Sequence, residues 1–190
     1  MKSKRSISCG FTLIESVIVI VIMGLAMITI VNFLAPQIAR SADPHYQTRV
    51  AALGQSVMTQ ILARGFDHHS DFQGGRVRCS SLDLGSTQCS GFGSSSRVLG
   101  IDSDRGETVA NPLQYDDVDD FIGCWTPGAT NGCRDLNALL ADGGSSYANF
   151  RLDIAVQYAN GAGATLKQVT LTIAASNQPA IRLVGYRGNY

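Results

Sequence analysis

The most prominent pattern in this sequence is a long run of apolar residues near its N-terminus. Between positions 16 and 39 there are 24 residues without a charged side chain, and 16 of the 19 residues from 17 to 35 are apolar. About 20 helical residues are enough to cross the hydrocarbon core of a bilayer. The run therefore predicts a membrane-spanning helix, and it excludes a wholly soluble protein unless this segment is removed.

A second, amphipathic helix is predicted after the apolar run. Apolar residues recur there at steps of three and four, the period of a helix with one buried stripe. The stripe consists of Tyr46, Val50, Leu53, Val57 and Ile61. Asp43 and Pro44 form a typical helix start, and Gly65 is a typical stop. Pro36 and Pro44 are expected to kink or interrupt a helix that would otherwise run from residue 11 to residue 64.

The C-terminal third alternates apolar and polar residues with a period of two, which predicts β-strands. The strands are expected at residues 150–158, 169–173 and 181–186. Short connections favour an antiparallel meander, and the stripe of the second helix can cover its apolar face. We therefore expect an α+β fold. Leu166 is out of phase with the second strand, which predicts a bulge or a late strand start near residues 167–168.

The first ten residues carry three basic side chains, Lys2, Lys4 and Arg5, and no acidic one. Basic residues beside a first apolar segment hold that end in the cytoplasm, so the rest of the chain is expected on the far side. The whole chain has 15 basic and 15 acidic residues; without its first ten residues it would have 12 and 15. This balance gives no reason to expect a nucleic-acid partner.

The junction between the basic segment and the apolar run carries a specific motif. Gly10 and Phe11 are followed by Glu15, and the apolar run begins directly afterwards. This arrangement resembles the prepilin peptidase site of type IV pilins and type II secretion pseudopilins. The resemblance implies cleavage after Gly10 and N-methylation of Phe11. It also implies a role in assembly for Glu15, whose carboxylate would neutralise the N-terminus of a neighbouring subunit.

The resemblance and the patterns together divide the chain into four parts. They are a cleaved leader at 1–10, a membrane and filament-core helix at 11–39, an amphipathic half at 40–65, and a globular head at 66–190. The expected location is the inner membrane, crossed once with the C-terminus outside, and then an extracellular pilus.

Four cysteines lie in an irregular region rich in Gly, Ser and Asp, namely Cys79, Cys89, Cys124 and Cys133. An oxidising compartment would let them form disulfides, and four cysteines allow three pairings. We favour the two local pairs, Cys79–Cys89 and Cys124–Cys133, because each closes a short loop that contains glycine. A zinc site is the alternative, although the spacings do not match a zinc knuckle.

An acidic run stands out in the same region, formed by Asp116, Asp117, Asp119 and Asp120. Four carboxylates so close together could gather a hard cation such as Ca²⁺. A solvated turn with one or two helix-capping aspartates is the alternative, and we favour it. A second acidic cluster, Asp102, Asp104 and Glu107, lies upstream. No motif of a hydrolase, nucleotide-binding loop or metalloprotease is present, so no enzyme and no required cofactor are predicted.

The acidic run is followed by an aromatic residue and a glycine, and this element resembles one in the minor pilins of mannose-sensitive haemagglutinin (MSHA) pili, of the D type in particular. The resemblance implies a structural subunit that supports pilus initiation and surface attachment. Its partners would be other major and minor pilins, the prepilin peptidase and N-methyltransferase, and the inner-membrane assembly platform. The alternatives are a minor pseudopilin of type II secretion and a membrane-anchored periplasmic adhesin or binding module.

Overall fold

The structure is a computed structural model. It describes residues 12–41, 43–71, 78–80, 82–93, 98–140, 147–159, 165–176 and 178–189. The expected cleavage site at Gly10 and Phe11 lies outside these residues. The chain divides into two compact units, Met1–Gln47 and Thr48–Tyr190.

The N-terminal half contains two long helices, α1 at Leu13–Ser41 and α2 at Asp43–Leu62. Helix α1 continues through Pro36, so this proline does not interrupt the helix. One proline removes only one backbone hydrogen bond, and the other turns of a long helix keep theirs. Helix α2 begins at Asp43 and has Pro44 in its first turn, where proline costs no hydrogen bond.

The predicted stripe of α2 is the helical side of the core in the second unit. Val50, Leu53, Val57 and Ile61 are all at most 1% exposed. The helix packs closely on the sheet at two glycines. A Cβ on Gly54 would lie 2.1 Å from Leu183 Cδ1, and one on Gly185 would lie 2.8 Å from Met58 Sδ. The expected packing of this stripe on the sheet is therefore confirmed.

The segment after α2 differs from the expectation. Gly65 does not act as a left-handed helix stop but forms an isolated parallel bridge with Asp117. Its N–H donates to the Asp116 carbonyl at 2.9 Å, and its carbonyl accepts the N–H of Val118 at 3.1 Å. The end of the helix is thus tied to the acidic run.

A five-stranded sheet forms the other side of the core. Its strands are β1 (Gly123–Thr126), β2 (Arg134–Asp135), β3 (Phe150–Tyr158), β4 (Leu166–Ala175) and β5 (Ile181–Gly188). The spatial order is β2-β1-β3-β4-β5, and all neighbours are antiparallel except β1 and β2. The second unit also contains a short helix, α3, at Leu136–Leu140. Short 3₁₀ helices lie at Ser103–Arg105, Pro112–Gln114 and Asp119–Phe121.

The α+β fold class and the antiparallel meander β3-β4-β5 are confirmed. The sequence did not reveal β1 and β2, because strands of four and two residues are too short to show alternation.

The predicted bulge or late strand start near residues 167–168 is wrong, since β4 already begins at Leu166. Strand β4 pairs with β3 without a break, from Tyr158 opposite Lys167 to Phe150 opposite Ala175. Lys167 is in phase with the buried Val169, and Leu166 points to the other face. The alternation therefore continues, but a lysine occupies an inward position where the apolar pattern led us to expect none.

Candidate functional site

Helix α1 is apolar and exposed from Leu13 to Ile38. The stretch Leu13–Ile38 has 26 residues and a mean hydropathy of 2.8, and none of its most apolar window is buried. At 1.5 Å per residue it is about 39 Å long, which exceeds the roughly 30 Å of a bilayer core. The helix is thus long and apolar enough to cross a membrane.

Glu15 is the acidic residue in the first turn of α1. Its backbone N–H donates to the Thr12 carbonyl at 3.1 Å and to Thr12 Oγ1 at 3.4 Å. Thr12 thus caps the helix, and a glutamate three residues after such a cap matches the capping-box spacing. Glu15 therefore also contributes locally to the start of the helix, and a test of its charge must control for this contribution.

The structure forms the two local disulfides that the cysteine spacing favoured, Cys79–Cys89 and Cys124–Cys133. Cys79 and Cys89 are fully buried and pack with Phe66. A zinc site at these four residues would need free thiolates, which disulfides do not supply.

Asn189, near the C-terminus, binds the first disulfide loop. Its Nδ2 donates to the Cys79 carbonyl at 2.9 Å, and its Oδ1 accepts the hydroxyl of Ser70 at 3.0 Å. The Cys79 N–H in turn donates to Ser70 Oγ at 3.1 Å. The end of β5, the disulfide loop and the segment after α2 are therefore joined by one buried amide.

The acidic run is buried, so our preference for a solvated turn is wrong. Asp117, Asp119 and Asp120 are at most 1% exposed, whereas the Asp116 side chain is 31% exposed. Asp119 and Asp120 lie in the 3₁₀ helix Asp119–Phe121, directly after the bridge to Gly65. Buried carboxylates are costly unless they are paired or hydrogen-bonded. Each of them therefore requires a partner.

Lys167 is the partner of Asp119. Its Nζ donates to Asp119 Oδ1, to Asp67 Oδ2 at 3.3 Å and to the Phe66 carbonyl at 2.6 Å. The same ammonium lies 4.7 Å from the Phe66 ring centroid and 5.7 Å from that of Tyr158. Lys167 is completely buried. Burial opposes its charged form, but the surrounding carboxylates, with Asp119 first, raise the pKa of Lys167 above its ordinary value.

Asp67, which the sequence analysis did not single out as a site residue, completes this ion pair. Its carboxylate accepts backbone N–H groups of Ser90 at 2.8 Å and of His69 at 3.0 Å. Burial works against ionisation, yet Lys167 and these two amides hold the pKa of Asp67 below its usual value. The only sequence signal for this network was the inward phase of Lys167.

Asp117 has no cation as a hydrogen-bonding partner among the described residues. Its Oδ2 accepts the backbone N–H of His68 at 2.8 Å, and its Oδ1 accepts that of Asp119 at 2.8 Å. Burial and the nearby Asp119 carboxylate raise the pKa of Asp117 to about 10. Asp117 thus joins the residues after α2 to the acidic run.

Asp120, Asp116 and Glu107 form a further group of carboxylates, and Asp102 lies close to both Asp116 and Asp120. Within the group of three, one oxygen of each lies within 4.8 Å of the other two. Burial, opposed by the backbone N–H of Asp117 and reinforced by Glu107, raises the pKa of Asp120 to about 8. Burial and Glu107 also raise the pKa of Asp116. The structure thus brings Glu107 from the upstream cluster to the acidic run.

His68 is buried beside this group. Its Nδ1 lies 3.2 Å from Asp102 Oδ2 and 3.9 Å from Asp116 Oδ2, and its Nε2 accepts the Nε–H of Arg105 at 2.8 Å. Arg105 itself is exposed. The imidazole therefore connects the exposed guanidinium to the acidic group.

The single tryptophan, Trp125, is completely buried, and its Nε1 donates to the Phe121 carbonyl at 3.0 Å. The guanidinium of Arg134 lies 5.3 Å from the Trp125 ring and 5.8 Å from the Tyr115 ring. These aromatic residues belong to the buried core of the second unit.

Comparison of the chain with family models, with curated proteins and with solved structures gives no match.

Proposed function

We propose that this protein is a minor type IV pilin, most similar to the D-type minor pilins of MSHA pili. The observation that carries the proposal is the order of features at the N-terminus. The chain begins with a basic segment, followed by Gly10 and Phe11. A helix follows directly, with Glu15 in its first turn, and it is apolar and exposed from Leu13 to Ile38. Cleavage after Gly10 would leave this helix on the mature protein, whereas an ordinary secretory signal loses its apolar segment.

The fold of the second unit supports this proposal. The second unit has the amphipathic helix, the antiparallel sheet and the two local disulfides that the sequence patterns predicted, and such a folded unit fits the globular head that the resemblance implies. The proposed role is structural rather than catalytic: the subunit would help to initiate the pilus and support surface attachment. Its partners would be other pilins, the prepilin peptidase and N-methyltransferase, and the assembly platform of the inner membrane.

The proposed location follows from the same segment. The subunit would cross the inner membrane once through α1, with Lys2, Lys4 and Arg5 on the cytoplasmic side before cleavage. The head would then lie in the periplasm, and in an assembled pilus it would be extracellular.

Processing at Gly10 is the first testable consequence. The mature protein should lack residues 1–10 and carry one additional methyl group. A bulky residue, as in Gly10→Leu, should leave the leader attached because the peptidase requires a small residue at this position. Intact mass spectrometry of membrane-extracted protein measures both. Ser8→Ala, a change within the leader, is the matched control and should be processed normally; normal trimming of Gly10→Leu would show that the cleavage assignment is wrong.

Two other functions fit the same N-terminal features. A minor pseudopilin of type II secretion has the same cleavage motif, and a membrane-anchored periplasmic module would also need an exposed apolar helix. Shearing of intact cells separates the pilin from the module. The pilin should appear in sheared filaments detected with an antibody to residues 66–190, whereas an anchored module should stay in the membranes. The identity of neighbouring genes would distinguish the pilin from the pseudopilin.

A further inference from the structure

We propose that Glu107, Asp116 and Asp120 bind a divalent cation, Ca²⁺, in the second unit of the chain. One carboxylate oxygen from each residue lies within 4.8 Å of the other two. A cation at the centre of such a triangle would be about 2.3–2.6 Å from each oxygen after a small adjustment of side chains. The inference concerns the head alone and does not depend on the proposed pilin function.

The hydrogen bonds at this group leave specific oxygens without a donor. Asp120 Oδ2 accepts the backbone N–H groups of Asp116 at 3.1 Å and Asp117 at 3.0 Å. Asp120 Oδ1, in a side chain that is completely buried, accepts no N–H or hydroxyl group among the described residues, and neither does the buried Oδ1 of Asp116. The Asp120 side chain instead meets the carboxyl group of Glu107, and two carboxyl groups attract each other only through a shared proton or a cation. A buried carboxylate oxygen without a donor is strongly unfavourable unless a cation or a proton neutralises it.

Among the described residues, the lysine and arginine side chains near this group have other acceptors, and only His68 Nδ1 lies near a ligand oxygen, 3.9 Å from Asp116 Oδ2. Lys167 contacts Asp67 and Asp119. Arg134 Nη1 donates to the backbone carbonyl of Asp120, not to its carboxylate. Arg105 attracts Asp116 electrostatically, but its Nε donates to His68.

The ligands and the access both suit Ca²⁺. The three side chains offer only oxygen, which hard cations prefer, and no thiolate or imidazole is among them. An open cavity of about 300 Å³ lies beside them, lined by Arg105, Gly106, Glu107, Gln114 and Asp116. The cavity gives the ion a path from solvent and leaves space for water ligands. Ca²⁺ accepts irregular coordination by six to eight oxygens, whereas Mg²⁺ demands a near-ideal octahedron.

A cation at this position would cross-link two segments. Glu107 already accepts the backbone N–H of Asp116 at 3.0 Å through Oε1 and that of Asp102 at 3.1 Å through Oε2. The acidic run is in turn bridged to Gly65 after α2. Ca²⁺ would therefore hold the loop around Glu107 against the segment that pairs with the end of the helix.

The test uses the full chain in detergent, stripped with a chelator. Thermal unfolding is measured with Ca²⁺ from zero to about 10 mM at constant ionic strength, because a site of this class is expected to bind with a Kd of about 10⁻⁴–10⁻³ M. At ten times Kd the unfolding midpoint should rise by about 3–6 °C. Terbium luminescence, excited through Tyr115 and Trp125, provides a second readout, and Ca²⁺ should displace the signal.

Three variants locate the site. Asp116→Asn changes a partly exposed side chain and should fold; it should weaken Ca²⁺ binding about tenfold or more, since charge count sets affinity in such sites. Glu107→Gln should do the same. Asp153→Asn removes an exposed carboxylate paired with Arg151 and should bind Ca²⁺ like the wild type.

Three results would overturn the proposal. They are no shift of the wild-type midpoint at 10 mM Ca²⁺, a shift of equal size in Asp116→Asn, and an equal shift with Mg²⁺, which would indicate charge screening rather than a calcium site. In the first case a proton shared between Asp120 and Glu107 would neutralise the group instead.

Discussion

Replacement of Lys167 by Met is expected to lower the free energy of unfolding by about 3–5 kcal/mol, because it breaks a buried ion pair from one side. Lys167 is completely buried, and its ammonium contacts Asp119, Asp67 and the Phe66 carbonyl. Met has a similar volume, so the change removes the charge and leaves most of the packing. Two carboxylates would then remain in the core without their cation.

Urea unfolding of the full chain in detergent, followed by the fluorescence of Trp125, measures this effect. Arg151→Met is the matched control on the same sheet, since it removes a cation from the exposed pair with Asp153. It should leave the unfolding transition unchanged. The double variant Lys167→Met/Asp119→Asn should recover part of the stability, because one uncompensated charge is removed with the lysine. Equal transitions for Lys167→Met and Arg151→Met would contradict the network.

The second large effect is expected for Glu15→Gln in filament assembly. If the proposed pilin function is correct, the Glu15 carboxylate pairs with the amino group of a neighbouring subunit's processed N-terminus. Without that carboxylate the amino group would enter the apolar core alone, at a cost of several kcal/mol. Insertion and cleavage should persist, since loss of an intramembrane charge favours insertion. The ratio of filament-associated to membrane-associated protein should therefore fall at least about tenfold.

The contact with Thr12 sets the controls for this experiment. Gln keeps the capping-box type at the third helical position, so Glu15→Gln isolates the charge, whereas a change to Val would also alter the helix start. Thr12→Val has the opposite effect: it removes the hydroxyl that accepts the Glu15 N–H but keeps the carboxylate. It should enter filaments like the wild type. Mass spectrometry checks cleavage in both variants. Normal incorporation of Glu15→Gln would refute the pairing.

The parts of the fold that were predictable from sequence are those with a long local period. These parts are the apolar run, the stripe from Val50 to Ile61 and the alternation in β3, β4 and β5. Each pattern extends over many residues, and a pattern of that length rarely arises by chance. Strands β1 and β2 are too short to carry such a period. The local disulfides were favoured because both partners lie close in sequence, which makes loop closure inexpensive.

The acidic site could not be derived in the same way. The sequence shows four aspartates together, but the buried ion pair of Asp119 is made with Lys167, which is 48 residues away along the chain. Glu107 was noticed only as part of another cluster, and nothing local places it beside Asp120. A run of carboxylates is usually solvated, so the more common arrangement was expected, and it was wrong here. The one sequence signal of the buried ion pair is Lys167, whose position in β4 is in phase with the inward-facing Val169. The neighbouring Leu166, which is out of phase, pointed instead to an irregular start of the strand.

The sequence by itself determined the exposed apolar helix, the amphipathic helix and the antiparallel meander, because short-range periodicity dictates which face of each element avoids water. It also carries the motif on which the proposed function rests. Only the tertiary structure decided which charges are buried and which partners they have. Whether a carboxylate is solvated, paired with Lys167 or left with a free oxygen depends on residues that meet through folding, and the strength of these interactions depends on the exclusion of water around them.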